Sequence, residues 1–238
     1  MIYIKSPLRI TLGGGGSDLP WFYKKHGGYV LTTSINKFIH LFGIKRAYDN
    51  KIWLSYSRNE VCDNVSEIKN EIIKEALKYF NLKNSLEIHT VSDVPGNSGL
   101  GSSGAFISTI LKFCSEFRLK KISKYKLAKL GCALEMEKLK KNSGLQDQFI
   151  SVYGGLIEMF INKNGSVKIK KLNLGNKIKK KLLNSSVTFY TNITRPSEIV
   201  LSSQKKKFLS ENENERSIQD IVKIGKEIKK KLIIGDIK

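Results

Sequence analysis

Residues 95–105 read Pro-Gly-Asn-Ser-Gly-Leu-Gly-Ser-Ser-Gly-Ala and join an alternating segment, Leu86 to Val91, to an apolar run that ends near Phe117. Alternation with a period of two is the pattern of a half-buried strand, and the run that follows has the composition of a buried helix. Glycine allows backbone conformations closed to other residues and lets a ligand approach the main chain. A helix that starts on such a turn presents unpaired N–H groups and the positive end of its dipole, which suit a di- or triphosphate. Pro95, Gly96, Asn97, Ser98, Gly99, Leu100, Gly101, Ser102 and Ser103 are therefore the candidate phosphate cradle. Either of the two last hydroxyls is placed to bind magnesium.

Gly99, Gly101 and Gly104 also spell G-x-G-x-x-G. In the dinucleotide fold those glycines follow the strand closely, and an acidic residue about 20 positions on holds the ribose. Here Pro95 and its neighbours intervene, and the later position falls among Lys120, Lys121 and Lys124. A Walker loop needs Gly-Lys-Ser/Thr, and a protein kinase needs its HRD and DFG sets; this chain has neither. A glycine-rich helix start without a ligand is the structural alternative.

Two further segments carry chemistry. The first is Ser6-Pro7-Leu8-Arg9-Ile10-Thr11-Leu12, running into Gly13-Gly14-Gly15-Gly16-Ser17-Asp18-Leu19-Pro20. Four consecutive glycines lose much chain entropy on ordering, so such a loop points to something that must come close to the backbone; a flexible hairpin is the alternative. Arg9 and Asp18 flank it and can face one polar ligand. The second is Gly144-Leu145-Gln146-Asp147-Gln148, with Glu135 and Glu137 upstream. An acidic residue on a glycine-led turn between helices can act as a general base or bind a metal, or it can simply cap a helix.

Stretches rich in β-branched and aromatic residues at 2–5, 28–35, 38–47 and 51–56 are expected strands, with turns at Gly27-Gly28 and Asp49-Asn50. From Asn64 the period turns helical: Ile68, Ile72, Ile73, Leu77 and Phe80 share a face, and Asn64 with Glu67 forms a variant capping box. A helix from Ser123 to about Lys140 follows, then strands at 155–161 and 166–172 around the turn at 162–165. Beyond a basic stretch at 177–181 the pattern predicts a strand at Val187–Tyr190, a short helix from Ser197 and a long helix opened by Ser217 with Asp220. Its expected buried face is Ile218, Ile221, Ile224, Ile228 and Leu232. This order lacks regular βαβ alternation and reads as α+β, divided near the basic stretch into residues 1–175 and 176–238. The second part is thin for a domain, because a lone strand has no ladder partner.

Charge invites a nucleic-acid reading, since 42 Lys plus Arg stand against 21 Asp plus Glu, a net +21. Arginine supplies the bidentate phosphate and base contacts, and only Arg9, Arg46, Arg58, Arg118, Arg195 and Arg216 are present. The lysine runs at 179–181, 205–207 and 229–231 alternate with Ile, Leu and Asn at helical spacing, which is the pattern of a solvated helix face. The expectation is no specific nucleic-acid partner. Cys62, Cys114 and Cys132 show no paired spacing, and His26, His40 and His89 lie apart from them, so neither a disulfide framework nor a zinc site is expected. No apolar run is long enough to span a bilayer and the opening residues hold no signal-peptide core, so the expectation is a cytoplasmic protein without a membrane segment.

Together the three constellations resemble the superfamily of galactose, homoserine, mevalonate and phosphomevalonate (GHMP) kinases. Pro7-Leu8-Arg9 through Asp18 is similar to the first motif, Pro95 to Ser103 to the second, and Gly144 to Gln148 to the acidic one. The four-glycine run with Ser17-Asp18-Leu19-Pro20, followed by Gly27-Gly28 and Ser34-Ile35-Asn36-Lys37, resembles the D-glycero-D-manno-heptose 7-phosphate kinases. Galactokinases carry Gly-Glu-His where this chain has Gly14-Gly15-Gly16. The likeness continues through Tyr153-Gly154-Gly155-Leu156, Phe189-Tyr190-Thr191, Thr194-Arg195 and Glu198-Ile199, and so covers essentially the whole chain.

The resemblance implies two domains: an N-terminal, ribosomal-protein-like βαβ domain over 1–175, and a ferredoxin-like C-terminal domain, incomplete here, over 176–238. It implies ATP-dependent phosphorylation of the anomeric hydroxyl of a sugar phosphate, yielding the 1,7-bisphosphate on the way to a nucleotide-activated heptose for surface polysaccharide. On that pattern the Gly99–Ser103 turn holds the ATP phosphates and Ser103 with Glu135 ligates Mg2+, Glu137 being the competitor. Asp147 takes or orients the proton of the sugar hydroxyl, and Arg9 lies beside it and the transferring phosphoryl group. Gly14, Gly15, Gly16, Ser17 and Asp18 meet the sugar, and Arg195 meets its 7-phosphate. Members of the superfamily run on to a third glycine-rich motif. The expectation is therefore a shortened C-terminal domain, with a homodimer or a complementing C-terminal fragment as partner. The competing reading is a catalytically dead remnant that binds nucleotide or a protein through an exposed sheet edge.

Overall fold

The structure, a computed structural model, describes residues 1–192, 197–210 and 212–237. In chain order the strands are β1 (Ile2–Gly13), β2 (Gly28–Lys45), β3 (Ile52–Ser55), β4 (Asn59–Cys62), β5 (Leu86–Ser92), β6 (Leu156–Ile161) and β7 (Val167–Leu172). The helices are α1 (Pro20–His26), α2 (Glu71–Tyr79), α3 (Ser102–Phe117), α4 (Lys124–Ala133), α5 (Gln146–Tyr153), α6 (Asn176–Asn184), α7 (Ser197–Ser210) and α8 (Asn212–Ile234). A 3₁₀ turn at Val65–Glu67 and a π-helical turn at Leu134–Lys138 complete the set.

All seven strands form one sheet organised by β2, whose 18 residues are long enough to carry different neighbours on its two halves. β1 runs antiparallel along the whole of one edge. On the other edge β5 pairs with residues 39–45 and β6 with residues 28–33. β3 adds parallel to β5, β4 closes a hairpin on β3, and β7 pairs antiparallel with β6. The register of β1 on β2 slips between Pro7 and Arg9, and the facing parity of β2 changes across the same place. Val30 faces the helical layer in the first half and Leu41 in the second. Such irregularities bend a strand pair and re-aim side chains; here Arg9 comes out directed at α5.

Helices α2 to α5 cover one face. The main core lies between them and the sheet, around Leu41, Ile52, Leu86, Ile88, Ile107, Leu111 and Phe113. Tyr29 and Leu31 point to the opposite face, where Leu232 and Ile228 of α8 and Ile178 and Leu182 of α6 cover the β6 end of the sheet. At the other end of that face Tyr3 stacks on Phe42 with ring centroids 4.8 Å apart, and both stay partly exposed.

Several expectations change. The segments at 28–35 and 38–47 are one strand, and the strand at 2–5 runs on through Pro7, which is tolerated because β1 has a partner on one edge only. β4 is too short and polar to show alternation. The Asn64 side chain accepts from Ser66 N, but it caps only the 3₁₀ turn; the helix proper waits for Asn70, which accepts from Ile73 N. The basic stretch at 177–181 is helix α6 rather than linker. Residues 187–190 form no strand: among the described residues no neighbour supplies a ladder, and Val187 and Phe189 are 77% and 82% exposed. α8 starts at Asn212, before Ser217, and its inward face keeps Ile228 and Leu232 of the expected set but not Ile221 and Ile224. Gly225 meets Gly13 so closely that a Cβ on Gly13 would stand 2.4 Å from the Gly225 Cα. That contact fixes the rotation of the helix, burying Gly225 and Leu232 and leaving Ile221 and Ile224 about half exposed.

Candidate active site

The centre of the site is a bidentate pair between strand and helix. Arg9 Nε donates to Asp147 Oδ1 at 2.8 Å, and Arg9 Nη2 to Asp147 Oδ2 at 3.1 Å. The third corner is the glycine turn: Arg9 Nη1 donates to the Gly99 carbonyl at 2.6 Å, and Arg9 N to the Leu100 carbonyl at 3.0 Å. Burial works against the charge on Arg9, but the Asp147 carboxylate outweighs it and raises the pKa, with Asp18 adding in the same direction. The pair faces a cavity of about 610 Å³. Asp147 sits in the first turn of α5, not on the preceding turn as expected, so its side chain is held by helix packing.

The glycines of the 95–104 segment divide into two groups. Gly101, at φ 77°, forms the left-handed cap of α3, and a Cβ there would crowd Arg9 and Asp147 at 3.1–3.3 Å. A Cβ on Gly104 would stand 2.5 Å from the Asp147 Cβ. Those two allow α5 to reach the start of α3. Gly96 and Gly99 face open space, and the Ser98 hydroxyl oxygen is buried with no partner. Of the expected cradle, Asn97, Ser98, Gly99, Gly101, Ser102 and Ser103 line the cavity. Pro95 and Gly96 do not, and Leu100 turns away to pack against Leu8, Ile39 and Ala105.

Between Glu135 and Glu137 the π-helical turn decides. Glu135 is buried and reaches the cavity wall, whereas Glu137 is exposed and off it. Glu135 Oε1 accepts from Ser103 Oγ at 2.6 Å, and Glu135 Oε2 accepts from Ser143 Oγ at 2.8 Å and Gln148 Nε2 at 2.5 Å. Ser143 and Gln148 were not singled out from the sequence, although both adjoin or belong to the acidic segment. Thr11 donates to Gln146 Oε1 at 2.8 Å and ties β1 to α5 once more.

The first glycine loop splits in the same way. Gly15, Gly16 and Asp18 line the cavity; Gly14 and Ser17 do not. A Cβ on Gly14 would lie 1.9 Å from the Tyr29 carbonyl oxygen, so glycine is required there by backbone packing. The Ser17 hydroxyl is fully buried, donates toward the Gly14 and Tyr29 carbonyls and accepts from Tyr29 N, which makes it a brace. Asp18 is buried and accepts from Gln146 N at 3.0 Å. Burial raises its pKa, the Gln146 N–H opposes that, and the nearby Asp147 charge adds to the rise. Gly144 is pressed against it: a Cβ there would stand 2.0 Å from Asp18 Oδ2. Arg195 lies outside the described residues.

One wall was not foreseen. Glu198, Val200, Leu201 and Gln204 of α7 border the cavity. α7 is held by Phe208 against Trp21, with ring centroids 4.6 Å apart, and by Asn142 donating to Ser202 at 3.1 Å. Nothing in the local pattern of α7 marks these contacts, because their partners lie far away in sequence.

A strand, glycine turn and helix supporting an Arg–Asp pair over a serine–glutamate pair define a class. Residues 66–155 match the family described as GHMP kinases N terminal domain. It is 33% identical, over 217 residues, to the D-glycero-alpha-D-manno-heptose 7-phosphate kinase of Campylobacter jejuni; the match covers 87% of this chain and 64% of the length of that protein. The fold is similar, at a TM-score of 0.82 and 24% identity, to a D-glycero-D-manno-heptose 1-phosphate kinase from Bacteroides thetaiotaomicron, covering 99% of this chain and 74% of that one. It is also similar to the galactokinase of Lactococcus lactis, at a TM-score of 0.66 and 17% identity, covering 98% and 70%. No helix of the described residues is long and apolar enough to cross a membrane.

Proposed function

We propose that this chain carries the catalytic site of an ATP-dependent kinase acting on the anomeric hydroxyl of a sugar phosphate, with D-glycero-D-manno-heptose 7-phosphate as substrate and the 1,7-bisphosphate as product. The observation that carries this reading is the Arg9–Asp147 pair set on the lip of the glycine turn, in a chain 33% identical to a heptose 7-phosphate kinase. A kinase that consumes ATP and a sugar phosphate would find both in the cytoplasm, which supports a cytoplasmic reading.

The residues fit ATP with Mg2+. Gly99 leaves open space, Ser98 offers an unpartnered hydroxyl, and Ser103 and Glu135 stand together on the wall. No cluster of three His, Cys, Asp or Glu side chains is arranged for a metal among the described residues. Magnesium takes one or two protein ligands and completes its shell with substrate phosphates and water, and Ser103 and Glu135 can supply those ligands. When bound, it would neutralise charge on the nucleotide phosphates. Gly99 to Ser103 cradle those phosphates, and Asp18 with Gly15 and Gly16 meets the sugar. Asp147 takes the hydroxyl proton as the oxygen attacks. Arg9 fixes the Asp147 carboxylate in place and offers positive charge where the transferring group becomes most negative.

The test is release of ADP with heptose 7-phosphate against other sugar phosphates, in wild type and Asp147→Asn. The expected result is turnover that falls by about 10²- to 10⁴-fold in the variant while ATP binding persists. No turnover on any sugar phosphate by the folded chain overturns the function, and wild-type rates in Asp147→Asn overturn the base. An intact Arg–Asp–Ser–Glu constellation speaks against the dead-remnant reading.

A further inference from the structure

A second recess, of about 380 Å³, opens beside the main cavity and shares Leu19, Lys141, Asn142 and Ser143 with it. Four lysines line it, brought from three separate places in the chain: Lys24 from α1, Lys140 and Lys141 from the segment after the π-helical turn, and Lys205 from α7. No acidic residue lines it among the described residues. Among the described residues none of the four lysines forms an ion pair either, whereas Lys25, Lys74, Lys78, Lys112, Lys223 and Lys231 each have a carboxylate within reach. Like charges gathered without counter-charge repel one another, and a bound dianion relieves that repulsion at each of them.

We propose that this recess binds the phosphomonoester of the sugar substrate, the group remote from the reacting hydroxyl; the assignment rests on the reading that the substrate is a sugar phosphate. The segment 141–147 links the two ends. It starts at Lys141 in the recess, passes Ser143, which donates to Glu135, and Gly144, which presses on Asp18, and ends at Asp147. A sugar lying along this segment has its reacting end at Asp147 and its phosphate among the lysines. Trp21, half-buried against Phe208, gives the recess an apolar side that suits the carbon chain between them. Lysine, a mobile point charge, suits a freely rotating terminal phosphate. Part of the net positive charge of the chain is thus put to use at one defined place through Lys24, Lys140, Lys141 and Lys205.

The test uses the full chain, the double variant Lys141→Ala/Lys205→Ala and its counterpart Lys141→Arg/Lys205→Arg. Two readouts are taken: the KM for heptose 7-phosphate and for ATP, and binding of inorganic phosphate followed by 31P NMR titration. The expected result is a KM for the sugar phosphate raised at least tenfold, a KM for ATP changed less than twofold, loss of phosphate binding, and recovery in the arginine pair. A sugar-phosphate KM that moves no more than that for ATP, with phosphate binding intact, overturns the site and leaves the kinase reading standing. Conversely, wild-type protein that binds inorganic phosphate through these lysines but turns over no sugar phosphate keeps the site and removes the kinase reading. Phosphate binding that single-stranded DNA abolishes at low salt, equally in wild type and the lysine variants, reassigns the charge to nonspecific polyanion binding and overturns the proposal. If the double variant does not fold, Lys24→Ala, at an exposed position of α1, gives the same readouts.

Discussion

Gly104 stands in the first turn of α3, and its replacement by alanine is a quantitative test of how the site is assembled. The added Cβ would lie 2.5 Å from the Asp147 Cβ, 3.0 Å from the Asp147 carbonyl carbon and 3.2 Å from Gln148 N. Carbon atoms in contact sit about 3.5–4.0 Å apart, so Gly104→Ala forces an opening of roughly 1 Å. Two of the three obstacles are backbone of α5 and cannot rotate away. Overpacking of this kind costs about 1–3 kcal/mol, and alanine returns about 1 kcal/mol of helix propensity. The net loss is about 0–2 kcal/mol, or a fall in Tm of up to about 8 °C for a chain of this size. Catalysis is hit harder, because Asp147 moves away from both Arg9 and the turn, and a 1 Å misplacement costs on the order of 10²-fold in rate. ADP release and thermal melts on the same samples check both numbers. Gly96→Ala is the control: its Cβ meets nothing within 4 Å and its φ is not positive, so turnover is retained and Tm holds or rises slightly. Wild-type turnover in Gly104→Ala, or equal damage from Gly96→Ala, would refute the close approach of α3 and α5 as the reason for the glycine.

Other outcomes follow from the same geometry. Burial raises the pKa of Asp18, so the folded chain favours its protonated form. That contribution to stability is full below the ordinary carboxylate pKa and is lost as pH rises through the higher folded value. Asp18→Asn therefore raises Tm at neutral pH, by an amount that fades in melts near about pH 4; a difference independent of pH contradicts this. Ser17→Ala strips three backbone partners in a fully buried place and costs about 1–3 kcal/mol, read as a lower Tm. Phe208→Ala removes the ring contacts with Trp21 and Phe22, loosening α7; hydrogen exchange of α7 speeds up, and the KM for the sugar phosphate rises more than the KM for ATP.

What could be read from the sequence was whatever the chain builds from neighbours. The strand, turn and helix over residues 86–117 are contiguous, so periodicity and glycine placement located β5, the turn and α3 together. The hairpin of β6 and β7 was legible for the same reason. The face of α8 was legible only at Ile228 and Leu232. Counting isoleucines at helical spacing put Ile221 and Ile224 inward, but the close contact of Gly225 on Gly13 decides the rotation, and a glycine carries no hydrophobic signal. Likewise, the glycines of both loops looked alike on the page. Only three-dimensional neighbours separate Gly14 and Gly104, which make room for protein, from Gly16 and Gly99, which leave room for something else.

This contrast between local and long-range construction runs through the site itself. The glycine-turn end of the cavity, to which we assign the ATP phosphates, is a single contiguous unit pinned to β1 by Arg9. The end at the first glycine loop, to which we assign the sugar, has no such unit. Gly13 is held between β2 and α8, Ser17 braces the loop on Tyr29, Glu215 of α8 pairs with Lys25 and His26 at the end of α1, and Phe208 of α7 packs on Trp21. Residues 197–234 therefore help to shape the cavity, because α7 forms one of its walls and α8 fixes the strand from which the glycine loop departs. On the proposed assignment, substitutions in α7 or α8 that never touch a ligand should act on recognition of the sugar phosphate before they act on ATP, since the glycine-turn end leans on β1, α3 and α5, and the end at the first glycine loop leans on α1, α7 and α8 as well.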